Sequence, residues 1–340
     1  MSVLNILDIN SFLYTAHNVP ELSSLSVRNC PVGGMKYITR KISYLLMRGE
    51  SVVCAFDSRT NRKLLYPEYK KQRKKVPEVN IQSEFLLKTL TDAGVCCIKV
   101  KGLEADDIIY NVIEKEKNNF MNINIHSADY DLCHNVVAGK VNFFSVNRNV
   151  MCVNGNTFSE VLSNAEVRVP YNMITAKKVF CGDSSDNIGT FTSSDGRKGS
   201  VLFTTLVDLV FDNQTQALPV EVLRSRQLIE TMINFMGLSE EDKVEIKKRC
   251  DLFYPIEQDI DFTPTNSKNI NMSYYLGFLK SIKDLDSCKT LKYWGDSNKT
   301  VDEQLFQYGN AFKSGEYHVD NNLSLDNFSL EESSVFLRGL

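Results

Sequence analysis

Nine carboxylates fall in five short clusters between residues 8 and 186: Asp8, Asp57, Glu104 with Asp106 and Asp107, Asp129 with Asp131, and Asp183 with Asp186. A single aspartate at a strand end is ordinarily a turn or capping residue. The acids from Glu104 to Asp107 would equally suit the first turn of a helix through its dipole. The set means more if the fold gathers it. Two unit charges 4 Å apart repel by about 4 kcal/mol at an effective dielectric near 20. Such a nest must raise its own pKa values or take up cations. Hard, oxygen-seeking Mg²⁺ or Mn²⁺ resolves that repulsion without His or Cys ligands. Two such ions about 4 Å apart can activate water and stabilise a leaving oxygen in phosphodiester cleavage. Other chemistries fail on inspection. The histidines His17, His126, His134 and His318 have no zinc spacing. The run Gly196-Arg197-Lys198-Gly199-Ser200 lacks the spacing of a nucleotide-binding loop.

Placing these acids together falls to an alternation of strands and helices. Short apolar runs at Val3–Asp8, Ser51–Asp57, Val95–Val100, Asn122–Ser127 and Val141–Val146 read as strands. Periodic stretches at Met35–Met47, Ile81–Ala93 and Ala105–Lys117 read as helices. The alternation predicts an α/β fold, a mainly parallel central sheet flanked by helices. Ligands of such sheets bind beyond the carboxyl ends of the strands. Asp8, Asp57 and Asp129 stand at or just past such ends. From about Asn172 helical patterns take over, at Tyr171–Phe180, Val201–Phe211, Val222–Met236 and Glu240–Arg249. Three parts are expected: an α/β domain over residues 1–170, a smaller helical domain over 171–313 in which Trp294 packs, and an acidic tail over 314–340. The Gly/Ser/Thr-rich stretch Thr190–Ser200 reads as a loop.

A basic segment lies at residues 59–80. Arg59, Arg62, Lys63, Lys70, Lys71, Arg73, Lys74 and Lys75 oppose the single acid Glu68, with Tyr66 and Tyr69 among them. Read alone it is a solvated loop; beside a carboxylate nest it suits steering of a nucleic acid. The net charge of −3 averages over this unevenness and decides nothing. Hydrophobic content of 43% and charged content of 24% are ordinary for a globular chain. The 9 cysteines are scattered, without a C-x-x-C pair, which argues against a disulfide framework and for a reducing cytoplasm. Met1–Asp8 reads as a core strand rather than a signal peptide. No apolar run approaches the roughly 20 residues of a membrane span.

The stretches ILDIN, FDSRTNRKLLYPEYKKQRKK, GLEADDII, SADYDL and GDSSDNI, from Asp8 to Asn187, resemble the 5′-to-3′ exonuclease and flap-endonuclease family. That family includes the 5′-nuclease domain of DNA polymerase I and has a PIN-like nuclease fold. All nine of its acidic positions have a counterpart here. The resemblance implies that Asp8, Asp57, Glu104 and Asp106 hold one metal. Asp129, Asp131, Asp183 and Asp186 would surround a second, with Asp106 between the two and Asp107 in support. It implies an arch above the metals in which Arg62, Lys70, Arg73 and Lys74 contact phosphate. Lys70 and Arg73, three residues apart on a helical arch, would act in the chemistry. The chain departs from the family at Thr15, where most cellular relatives carry Arg. It departs again after GDSSDNI, where GTFTSSDGRKGS replaces a Gly-Ile-Gly hairpin that binds duplex and potassium. Arg197 and Lys198 could still contact duplex phosphate there.

In layout the chain is most similar to the branch of the family that contains the ribonuclease H of T-even bacteriophages. The expectation is a monomeric Mg²⁺-dependent nuclease, with Mn²⁺ able to substitute. It would cut branched or nicked duplex DNA and RNA–DNA hybrids near 5′ ends, removing primers during phage replication in the host cytoplasm. The tail, with Phe328, Val335, Phe336 and Leu337, resembles a docking peptide for a sliding clamp or single-strand-binding protein. A non-catalytic nucleic-acid-binding protein on the same scaffold is the alternative.

Overall fold

The computed structural model describes residues 2–147, 152–153, 173–211, 226–291 and 299–314. The domain boundary expected near residue 170, Trp294, the first part of the helix expected at 222–236 and nearly all of the tail lie outside the described residues.

A six-stranded sheet forms the centre. Its strands are β1 (Val3–Asp8), β4 (Ser51–Ala55), β5 (Cys97–Ile98), β6 (Asn122–Ser127), β7 (Val141–Ser145) and β8 (Cys152–Val153), in the order β5-β4-β1-β6-β7-β8. All neighbours are parallel except β7 and β8. A two-stranded ribbon, β2 (Ser26–Val27) with β3 (Cys30–Pro31), stands apart from it. Leu4, Ile6 and Leu7 of β1 are fully buried, as expected of a strand covered on both faces. Helices α1 (Ile9–His17), α3 (Gly33–Met47) and α5 (Pro77–Asp92) cover one face, with the short α2 (Pro20–Ser23) before α3. Helix α6 (Ala105–Glu116) covers the other. Strand β1 lies between β4 and β6, so the chain leaves it in one direction for β4 and later returns on its other side. That is the topological switch at which such sheets open a crevice. Asp8 is the last residue of β1, paired in register with Ala55. Asp57 and Asp129 each sit two residues past the ends of β4 and β6.

The second half holds α7 (Ile174–Cys181), α8 (Gly199–Phe211), α9 (Arg226–Met232), α10 (Glu240–Phe253), α11 (Met272–Ser281), α12 (Leu285–Thr290) and α13 (Lys299–Ser314). These do not form one body. Residues from Met173 to Tyr254 build a core of their own around Phe180, Phe203, Leu206 and Ile246. Tyr275, Phe278 and Leu279 on one face of α11, with Ile282 just past its end, pack instead into the core beneath α3 and α5, as do Val301 and Leu305 of α13. The attachment is also polar and buried: Thr39 donates to Asp284 at 2.6 Å, and the Tyr275 hydroxyl donates to the Thr39 carbonyl at 3.2 Å. Among the described residues the helical unit thus ends near residue 254, and 270–305 belongs with the sheet. The periodicity of α11 shows an apolar face but not which core receives it.

Candidate active site

The carboxyl ends of β1, β4 and β6 open into a cleft of about 990 Å³. Asp8, Asp57, Glu104, Asp106, Asp129, Asp131 and Asp183 line it. Lys70 and Arg73 face them from the basic segment, Lys177 and Lys178 from α7, and Asn10, Tyr14 and Thr15 from α1. Asp8 is nearly buried and accepts from the hydroxyls of Ser11 and Ser127, each at 2.6 Å. Burial first, and then the charge of Asp57, push its pKa up to about 6. Asp57 is held by Asn10 Nδ2 at 2.5 Å and by the Ala105 backbone N–H at 2.8 Å. Asp106 has its pKa driven well upward by burial, then by Asp129, with Asp8 and Glu104 adding to it and Lys70 opposing.

Glu104 caps α6 in a reciprocal box in which its N–H donates to Asp107 at 2.9 Å. Its carboxylate accepts from Lys70 at 2.6 Å, Tyr69 at 2.8 Å and Arg62 at 2.9 Å. Burial raises its pKa, but Lys70 and Arg62 outweigh that and hold it below the usual carboxylate range. Asp129 and Asp183 each cap a short 3₁₀ turn. Lys178 donates to both Asp131 and Asp183. Gly182, which turns the chain from α7 into Asp183, has φ +74°, and a Cβ there would lie 2.4 Å from the Gly189 oxygen. That turn requires glycine.

The structure separates some of the expected site residues. Asp107 is fully buried beneath the cleft, bonded to Arg62 and to the Ile256 N–H. Asp186 pairs with Arg73 at 2.7 Å and lines a small inner cavity of about 40 Å³ rather than the cleft. Arg62, for which the resemblance implied a phosphate contact, is 4% exposed and has its guanidinium bonded inside the protein to Asp107, Glu104 and two backbone carbonyls. The reason is its neighbourhood: two buried carboxylates take the cation before solvent or substrate can. No helical arch forms either. Between Arg59 and Lys75 only Arg62–Leu65 is helical (α4), and turns follow to residue 72, with Lys70 at φ +53°. Lys70 and Arg73 nevertheless reach the carboxylates, from a turn rather than from one helix face. Lys74 and Lys198 are exposed and open to a polyanion. Arg197 bonds Asp195 and the carbonyls of Met236 and Gly237, which closes its own loop instead.

Tyr14, Asn10, Lys177 and Lys178 were not singled out from sequence. Asn10 and Tyr14 share one polar face of α1, four residues apart, which is the signal that could have found them. Lys177 and Lys178 precede the GDSSD run by only a turn.

The donor set fits hard divalent cations: seven carboxylates, repulsion that raises Asp8 and Asp106, and no imidazole among the described residues of the lining, where the Cys181 thiol is the one sulfur. Among the described residues no three of the carboxylates converge tightly enough to enclose one ion; Lys70 is paired with Glu104, Arg73 with Asp186, and Lys178 with Asp131 and Asp183. No described helix is long and apolar enough to cross a membrane.

Residues 3–166 match the model of the 5′-3′ exonuclease N-terminal resolvase-like domain. A 5′-3′ exonuclease of Aquifex aeolicus is 33% identical over 138 residues, 39% of this chain and 47% of that protein. A DNA polymerase I of Caldicellulosiruptor bescii is 30% identical over 199 residues, 54% of this chain and 22% of the polymerase. The chain thus spans about half or less of these two relatives. A 5′-3′ exonuclease of Mycoplasma pneumoniae is 25% identical over 274 residues, 75% of this chain and 90% of that protein. Among solved structures, the T5 D15 protein co-crystallised with metal ions aligns over 90% of this chain and 98% of its own, at 14% identity and TM-score 0.47. The first half of the chain thus matches the N-terminal resolvase-like domain of 5′-3′ exonucleases, and the chain is similar to proteins of that family.

Proposed function

We propose that the chain is a divalent-metal-dependent, structure-specific 5′ nuclease that hydrolyses phosphodiester bonds near the 5′ ends of DNA or RNA–DNA hybrids. The observation that carries this reading is the cleft itself, with seven carboxylates on its floor and Lys70 and Arg73 facing them. Asp8, Asp57, Glu104 and Asp106 would hold one cation; Asp129, Asp131 and Asp183, with Asp186 behind them, would hold a second. Asp107 supports the first group from beneath. Such ions would supply the charge that acidifies a water and offsets negative charge on the phosphodiester.

The chain's own groups do the rest. Lys70 and Arg73 carry fixed positive charge to the non-bridging oxygens, where charge grows in the transition state. Asn10, Ser11 and Ser127 hold Asp57 and Asp8 in place. Lys74, Lys177 and Lys198 attract the backbone without touching the reacting bond. In this reading the products are 5′-phosphates and 3′-hydroxyls, and removal of RNA primers during phage replication, with ribonuclease H activity, is the role. The test is digestion of end-labelled flap, nicked and RNA-primed substrates side by side, with Mg²⁺, with Mn²⁺ and with chelator. Full activity in excess chelator would overturn the reading. Cleavage of DNA flaps with intact RNA primers would remove the primer role alone.

A further inference from the structure

Arg62 was expected to hold phosphate, and its burial raises the question of what a five-donor cation does there. Its Nε donates to the Leu252 carbonyl at 2.7 Å, and one terminal nitrogen reaches the Tyr254 carbonyl at 3.3 Å. The same guanidinium forks onto Asp107 at 2.6 and 2.7 Å and donates to Glu104 Oε2 at 2.9 Å. Leu252 belongs to α10, and Tyr254 closes the helical core just past its end. Glu104 faces the cleft. One rigid side chain therefore spans from the last carbonyls of the helical unit to a cleft carboxylate.

The joint continues along α6. Asp107, Asn111 and Lys115 recur every four residues and so share one stripe. Asp107 accepts from the Ile256 N–H at 2.8 Å. Asn111 donates to the Ile256 carbonyl and accepts from the Gln258 N–H, each at 2.8 Å. Lys115 donates to the Ile260 carbonyl at 2.6 Å. The segment leaving the helical core is thus laced to the helix whose cap is Glu104. Each of these bonds is short and directional, so a relative shift of an ångström between α10 and α6 must break bonds or carry Glu104 with it.

We propose that Arg62 is a positioning residue that couples the seating of the helical unit on duplex to the placement of Glu104 in the cleft. The inference rests on the nuclease reading for its kinetic test and on duplex binding alone for its second test. Lysine in place of Arg62 keeps the charge but cannot make the fork to Asp107 together with the bonds to α10. Asn111→Ala loosens the same seam without touching a carboxylate.

The kinetic test measures single-turnover cleavage at saturating enzyme on two substrates, a 5′ single strand with a duplex behind it and the same strand alone. Arg62→Lys should bind the duplex substrate within a few-fold of wild type. It should cleave that substrate on the order of 100-fold slower, with a much smaller loss on the single strand, so that the rate advantage of duplex collapses. Asn111→Ala should show the same pattern at roughly tenfold. The second test is hydrogen exchange in chelator: duplex DNA should slow exchange over residues 104–111 of wild type and not of Asn111→Ala. Weakened affinity with a normal saturated rate in Arg62→Lys would make the residue a phosphate contact and overturn the proposal. Equal slowing on both substrates would overturn the coupling and leave a local support for Glu104. If Arg62→Lys does not fold, an undiminished duplex advantage in Asn111→Ala overturns it just as well. Failure of wild type to cleave anything would sink the nuclease reading and leave the exchange experiment to decide this one.

Discussion

The two ends of the carboxylate cleft are built on different electrostatic plans. At the end formed by β1 and β4, Asp8 and Asp57 are held by neutral donors: two serine hydroxyls, the Asn10 amide and the Ala105 N–H. At the other end, Asp131 and Asp183 are bridged by Lys178, and Asp186 is paired with Arg73. Neutral donors orient a carboxylate but leave its charge, so the first end keeps its repulsion and Asp8 is pushed to about 6. A lysine offsets part of the charge: at the second end Asp183 falls below the usual range because Lys178 and Ser185 outweigh its burial, while burial and then Asp129 still push Asp131 up to about 6 against the same lysine. The same residue type, in one cleft, thus meets only neutral donors at one end and a lysine at the other.

The largest expected effect tests the first end. Asp8→Asn removes a central oxygen donor at the switch point of the sheet and should lower single-turnover cleavage at saturating Mg²⁺ by on the order of 1,000-fold. Asp186→Asn, set behind the cleft and already paired with Arg73, should cost distinctly less. Equal losses would mean that the two ends are not different in kind.

The charge left at Asp8 also has a sign in stability. Its folded pKa of about 6 lies above the ordinary 3.8, so between those values the folded state binds more protons than the unfolded one. Stability attributable to Asp8 therefore falls as pH rises from about 4 to about 6, by up to about 3 kcal/mol. Glu104 and Asp183, held low, contribute the opposite slope. Comparing wild type with Asp8→Asn by denaturant titration in chelator cancels those two groups. The difference should grow across that window in favour of the asparagine variant, and Mg²⁺ should shrink it. A pH-independent difference would show that the repulsion at this end is not felt.

The first end was also the legible one. Asp8, Asp57 and Asp129 are displayed by strand ends, and strand ends follow from apolar runs: β1 and β6 match their expected bounds residue for residue. Helix α6 was legible through its acidic cap and periodic Ile108, Ile109 and Val112. What the sequence did not show was which cation meets which acid. Eight basic residues in one run look alike in sequence, yet Arg62 is buried between Asp107 and α10 while Lys74 is exposed. That sorting is made by tertiary contacts with residues 190 positions away, which no local pattern records.

Lys70 sits between the two plans, since it is paired with Glu104 but lines the cleft. Removing it should lower saturated cleavage on the order of 100-fold, with affinity changed only a few-fold. Lys75→Ala, exposed at the end of the run, should leave the saturated rate nearly normal and flatten the salt dependence of binding by about one unit of slope. If Lys70→Ala loses affinity and cleaves normally once bound, its charge tethers substrate and does nothing to the reacting phosphate.

The smallest effect is the sharpest probe of the second end. Lys178 is largely buried, and although burial disfavours its charge, Asp131 and Asp183 outweigh that and raise its pKa. A divalent cation approaching those two carboxylates must displace an ammonium or share them with it, whereas at Asp8 and Asp57 it meets only repulsion to relieve. Metal binding should therefore resolve into a tighter and a weaker class. Lys178→Met keeps the side chain's length and removes the charge, so it should tighten the weaker class roughly tenfold and leave the tighter class unchanged. Titration with Mn²⁺ followed by the loss of its free-ion paramagnetic signal reads both classes without any cleavage. Thermal denaturation gives a second reading: without metal the variant should be less stable, because two part-buried carboxylates lose their partner, and Mn²⁺ should raise its midpoint further than it raises that of wild type. Unchanged Mn²⁺ affinity in Lys178→Met would show that the lysine yields to metal at no cost, and the contrast between the two ends would then be one of resting structure alone.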